Sequence, residues 1–163
     1  MRGPPVVMPE ARVNMGVREV AVSSERLHII GIDPGRQKCG LAVLTEAGVC
    51  ARRCVISTER LEEVVCELVR EFSPVKVVLG DRTGATDFRR RLDALAADSI
   101  SGVEVHMVNE HRSIEEGRRR YLLEHRRGWR RIVPLGLQWP TEPYDDYVAE
   151  VLALRFLETG KGE

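Results

Sequence analysis

Four acidic positions fall where the chain turns from one regular stretch to the next: Asp33, Asp81, Glu110 and the pair Asp145-Asp146. Carboxylates gathered at one place repel one another. A divalent cation relieves that repulsion, and hard oxygen ligands select Mg2+ or Mn2+. Two such ions activate a water and stabilise the leaving oxygen in phosphodiester hydrolysis. Each carboxylate also has an ordinary explanation. Asp33 opens an Asp-Pro-Gly turn, Asp81 is placed to cap the helix that follows it, and Glu110 stands in a loop. Asp145 and Asp146 stand at a helix start, where the dipole favours anions. The chemical reading depends on one fold bringing these positions together.

A second constellation is basic. Residues 118–131 hold seven Arg against one Glu, and 22 of the 25 basic residues of the chain are Arg. The guanidinium fork suits phosphate. Arg118, Arg126, Arg127, Arg130 and Arg131, with Arg36 in the turn beyond Asp33, are the candidate phosphate contacts. Trp129 lies among them and could stack on a base. The plain alternative is a solvated helix face with Trp129 packed inward. The formal net charge is zero, which excludes a generic DNA coat and makes any nucleic-acid contact local. His111 and His125 are candidate general acids, although a lone histidine is more often structural. Cys39, Cys50, Cys54 and Cys66 form no C-x-x-C pair. They read as free thiols in apolar surroundings rather than metal ligands.

The elements that must position these residues follow from periodicity. HIIGID over 28–33 is a short apolar run ended by a turn, hence a buried strand. Strands are expected at 39–46 and 49–57, joined by an Ala47-Gly48 hairpin turn. The period then becomes helical. Leu61, Val64, Val65, Leu68, Val69 and Phe72 share one face of a helix over 59–72. A strand over 75–80, a helix over 85–98 and a strand over 103–108 follow. Ser113-x-x-Glu116 has the form of a capping box, opening a helix to about residue 125. A loop over 126–142 precedes a last helix from Tyr144 to Leu157. Short turns make the first three strands antiparallel neighbours, and helical crossovers add the last two in parallel. The expected fold is α/β: a mixed five-stranded sheet with helices on both faces, in one domain over 28–160. Residues 1–27 read as an extension, with VREVAV at 17–22 a weak extra strand. No stretch approaches the roughly 20 apolar residues of a membrane span, and the N-terminus lacks the apolar core of a signal peptide. The expected location is the cytoplasm.

The residues over 28–44, HIIGIDPGRQKCGLAVL, resemble the opening of the YqgF family. This is the RuvC-like branch of the RNase H superfold, which includes Holliday-junction resolvases and nucleases that mature the 5′ end of 16S rRNA. Asp33, Gly35 and Gly40-Leu41-Ala42 match the first motif. In VNEHRSIEEGRRRY over 108–121, Glu110 matches the catalytic glutamate, while Asn109 and His111 depart from the acidic residue and arginine beside it. Asp146-Tyr147-Val148-Ala149 matches the final motif. The similarity extends over about 28–158. It implies an RNase H-like nuclease with Asp33, Glu110 and Asp146 as metal ligands for Mg2+ or Mn2+, Asp81 assisting catalysis, and a nucleic-acid partner. It also raises the prospect of a homodimer. Asn109 favours a rival reading, a binding or assembly factor of the same fold without turnover. An actin-like kinase also begins with Asp-x-Gly and a hairpin, but it needs a second lobe that 163 residues cannot supply.

Overall fold

Side-chain alternation assigns each strand residue to one of two helical layers in the computed structural model, which describes residues 28–74, 76–82 and 84–160. The strands are β1 (His28–Asp33), β2 (Lys38–Thr45), β3 (Cys50–Ser57), β4 (Lys76–Gly80) and β5 (Glu104–Val108). The helices are α1 (Leu61–Phe72), α2 (Ala85–Asp98), α3 (Ser113–His125) and α4 (Asp145–Gly160). The sheet order is β3-β2-β1-β4-β5. β1 pairs antiparallel with β2, and β2 with β3. β4 pairs parallel with β1, and β5 with β4. This is the mixed five-stranded sheet expected from the sequence.

Ile30, Ile32, Leu41, Val43, Val77 and Leu79 point to one face and form the larger core with α1 and α2. Ile29, Ala42, Leu44 and Val78 point to the other, against Ala149 and Ala153 of α4. α3 docks on α4 through Tyr121, Leu122 and Tyr147. Glycine sets how closely α4 lies. A Cβ at Gly31 would collide with the Ala149 carbonyl oxygen, and one at Gly40 with the Asp145 carbonyl. α4 therefore presses its first turn onto the ends of β1 and β2.

The expected capping box does not form. Arg112 is the residue before α3, in the left-handed region at φ 60°, and no side chain caps the helix. Ser113 is already helical, and its hydroxyl donates to the Glu110 carbonyl at 2.7 Å. The helix begins one residue earlier than a Ser113 cap requires, so the hydroxyl is not in the capping position and instead donates across the tight turn after Glu110. α1 begins at Leu61 rather than 59, after a 3-10 turn over Thr58–Arg60. The 126–142 loop contains two further 3-10 turns, Gly128–Arg131 and Leu135–Leu137. The strand expected at 17–22 lies outside the described residues. Among the described residues no helix is long and apolar enough to cross a membrane.

Candidate active site

Asp33 ends β1 on the face covered by α4. It is 6% exposed, and its Oδ1 is buried without a hydrogen-bond partner. Burial, then the charges of Glu110 and Asp145, push its carboxyl up to about 7 against the opposing pull of Arg82. Two buried acids at the mouth of one sheet disfavour each other's ionised form.

Glu110 reaches this place by an indirect route. Val108 at the end of β5 is in register with Gly80 of β4, and β4 lies beside β1, with Leu79 opposite Ile32. The Glu110 side chain lies over Gly80, where a Cβ would collide with its carboxylate. A glycine at the end of β4 thus leaves the room through which Glu110 extends toward Asp33. Both carboxylate oxygens are buried without a hydrogen bond. Arg82 stands with Nε 3.2 Å from Oε2, an ion pair rather than an aligned hydrogen bond. Burial is the largest influence on Glu110, and it pushes the carboxyl up to about 7 in spite of Arg82.

The backbone of Glu110 is held from several sides. Asp81 Oδ1 accepts the Glu110 N–H at 3.0 Å. Arg155 of α4 donates from Nη1 to the carbonyls of Asn109 (3.2 Å) and His111 (2.6 Å), the residues on either side. Asp81 does not cap α2, whose preceding residue is Gly84. Its carboxylate positions Glu110.

The two aspartates of α4 divide. Asp145 lines a cleft of about 480 Å3 with Asp33, Arg82 and Arg118, and its charge bears on Asp33. Asp146 is 7% exposed and lies toward β3. Arg53 opposes the burial that pushes its carboxyl up to about 6, and its Oδ1 accepts the Tyr147 N–H at 3.0 Å. Arg53 itself stacks 3.8 Å from the Tyr147 ring centre and pairs with Glu150 at 2.7 Å. The sequence grouped Asp146 with Asp33 and Glu110. In the structure the α4 charge acting on Asp33 is that of Asp145.

The fold matches known structures. The Thermus thermophilus RuvC structure is 19% identical, with a TM-score of 0.52 over 83% of this chain and 97% of that one. The Fowlpox virus resolvase in complex with substrate Holliday junction DNA is 14% identical, with a TM-score of 0.53 over 82% of this chain and 98% of that one. The same viral Holliday junction resolvase solved on its own matches equally, over 99% of its chain. The fold is RNase H-like. No protein-family model and no curated protein matches the chain.

Within this RNase H-like frame, Asp33 and Glu110 supply an all-oxygen donor set with orphaned buried oxygens, which is what a hard divalent cation takes. Among the described residues no three His, Cys, Asp or Glu side chains stand close enough to hold an ion together. The fit therefore rests on the Asp33–Glu110 pair. Arg118 lines the cleft and donates to the Gln138 carbonyl at 2.6 Å. Trp129 is 71% exposed and is not packed inward. Arg36, Arg127 and Arg131 are exposed, while Arg126 and Arg130 are half-buried. His125 stacks on Tyr121 at 4.3 Å and contacts Tyr147 edge-on, a structural position. His111 is exposed. All four cysteines are free, and burial pushes Cys50 up to about 12 and Cys54 up to about 11, so both remain unreactive thiols. Gly80, Arg82 and Arg155 did not stand out in the sequence.

Proposed function

We propose that the protein is a divalent-metal-dependent nuclease that hydrolyses phosphodiester bonds in branched DNA or structured RNA. The observation that carries this reading is the Asp33–Glu110 pair: two buried carboxylates in which Asp33 Oδ1 has no hydrogen-bond partner and Glu110 has the Arg82 ion pair beside it. Burying two acids with so little to satisfy them costs stability, and a cation repays that cost. Mg2+ or Mn2+ bound there would supply charge stabilisation of the attacking and leaving oxygens. Asp33 and Glu110 would hold it, with Asp145 from the cleft wall and Asp146 as the further acidic candidates. Asp81 and Arg155 keep the Glu110 backbone in place. Arg82, half exposed beside Glu110, is placed to meet the phosphate. The likeness of fold to two Holliday junction resolvases supports a junction substrate, and the YqgF resemblance supports structured RNA such as the precursor of 16S rRNA. Arg36 and the Arg118–Arg131 segment would grip phosphates outside the cleft.

One observation favours the rival reading, a binding factor without turnover. Arg82 already stands against Glu110 as its counter-charge, as a protein that uses no metal would arrange. Cleavage assays with Mg2+ and with Mn2+, on four-way junction DNA and on rRNA-leader RNA, separate the two. The nuclease reading expects metal-dependent cleavage that is lost in Asp33→Asn and Glu110→Gln. Binding without cleavage of either substrate in either metal refutes it.

A further inference from the structure

Trp139 is 73% exposed, yet the segment around it is firmly built. Gln138 beside it is buried, and its Nε2 donates to the carbonyls of Arg130 (2.8 Å) and Val133 (2.7 Å). The Gln138 carbonyl in turn accepts from Arg118 Nη2 at 2.6 Å. Two residues on, the Thr141 and Tyr121 hydroxyls meet at 3.0 Å. The Arg118 guanidinium lies 4.9 Å from the centre of the Trp139 ring and backs it. Trp139 also lines the cleft that contains Asp33, Arg82 and Asp145. A large aromatic ring held in water forgoes the burial that would otherwise stabilise the fold. Here the loop is pinned on both sides of the ring, and a cation is set behind it.

We propose that Trp139 is a stacking platform for an unpaired base, so that the substrate presents an unpaired nucleotide next to the phosphate to be cut. The proposal deepens the nuclease reading and rests on it. A base offers a π-face to an aromatic ring whatever its sequence, and arginine adds to such stacks. The cleft volume of about 480 Å3 falls in the range of roughly 300–1,000 Å3 typical of sites for single small molecules. It suits one nucleotide and not a stacked duplex. Arg82 and Arg118 supply the positive charge that a phosphodiester on either side of the base requires.

The chain has two tryptophans, so Trp129→Phe leaves Trp139 as the sole fluorophore. In that background, Asp33→Asn prevents turnover during titration. Three probes are compared: a short single strand, the same strand with one abasic site, and its full duplex. Stacking expects the intact single strand to quench Trp139 strongly and the duplex weakly, with intermediate quenching by the abasic strand. Trp139→Ala should weaken binding of the intact strand by about five- to 150-fold, leave the duplex within about twofold, and leave the melting temperature unchanged because the ring is exposed. Equal binding of all three probes while Trp139 is present, or an intact-strand affinity unchanged in Trp139→Ala, overturns the proposal. So does Trp139 emission that shifts blue as protein concentration rises, which would mark the ring as buried by a second copy. If the unmutated chain cleaves nothing while the single-strand preference and its loss in Trp139→Ala persist, the nuclease reading fails and the stacking site stands. Cleavage with no effect of Trp139→Ala on binding has the opposite meaning.

Discussion

Replacing Asp33 by Asn should stabilise the metal-free protein, by an amount that grows from about pH 4 and is complete above about pH 7. The Asp33 carboxyl is raised from 3.8 to about 7 in the fold, by burial first and then by Glu110 and Asp145. A group whose folded value is raised binds its proton more tightly when folded. Below about pH 4 both states are protonated and no penalty exists. Between about pH 4 and pH 7 the folded state loses ground, and above about pH 7 the whole cost is present. A displacement of that size corresponds to roughly 4 kcal/mol. Glu110 carries part of the same repulsion, and the two titrate as a pair. Relaxation and water entry reduce the cost further, so about 1–3 kcal/mol should be recovered by a neutral isostere. For a domain of this size that is a rise in melting temperature of about 2–10 °C. Thermal melts in EDTA at pH 4.5 and pH 8 measure it: the variant should match the parent at the lower pH and exceed it at the higher. Mg2+ should then stabilise the parent more than the variant, because the cation relieves the same repulsion. A variant that melts lower than the parent at both pH values would identify Asp33 as a structural turn residue and refute the reasoning.

Gly80→Ala places a methyl group against the Glu110 carboxylate, the far end of a flexible side chain. Cleavage should fall at least about tenfold while the melting temperature moves only a few degrees, a split that single-turnover assays and calorimetry would reveal together. Asp145→Asn should lower activity and weaken Mg2+ binding in titration calorimetry more than Asp146→Asn does, because the Asp145 charge acts on Asp33; the reverse order would make Asp146 the third ligand. Replacing Arg127 and Arg130 together by Ala should flatten the salt dependence of duplex affinity by about 2 log units per log unit of salt. An unchanged slope would place the phosphate contacts elsewhere.

The sheet was legible because its signals are local. Apolar runs at 28–33 and 75–80, the Ala47-Gly48 turn and the change to helical period near residue 60 each depend on neighbours in sequence. The α3 start was misread because Ser113 and Glu116 have capping spacing, while Ser113 already lies inside the helix and Arg112, in the left-handed region, precedes it. The carboxylates were legible as candidates but not as a geometry. Asp145 and Asp146 are adjacent, and a helix points successive side chains about 100° apart. Which of them approaches Asp33 depends on the rotation of α4, and Gly40 helps set that by admitting the Asp145 carbonyl. The roles of Arg155 and Gly80 involve partners about 30 to 46 positions away, so no local pattern could have announced them.

α4 follows the rest of the sheet and its other helices in sequence, yet it covers Ile29, Ala42, Leu44 and Val78 and brings both Asp145 and the Arg155 clamp to the site. During synthesis at about 5–20 residues per second, the five strands leave the ribosome before the helix that seals one of their faces. The sheet face formed by those residues therefore has no cover until residue 153 has emerged. On the nuclease reading, the carboxylate pair is thus closed off from water only when the last helix docks.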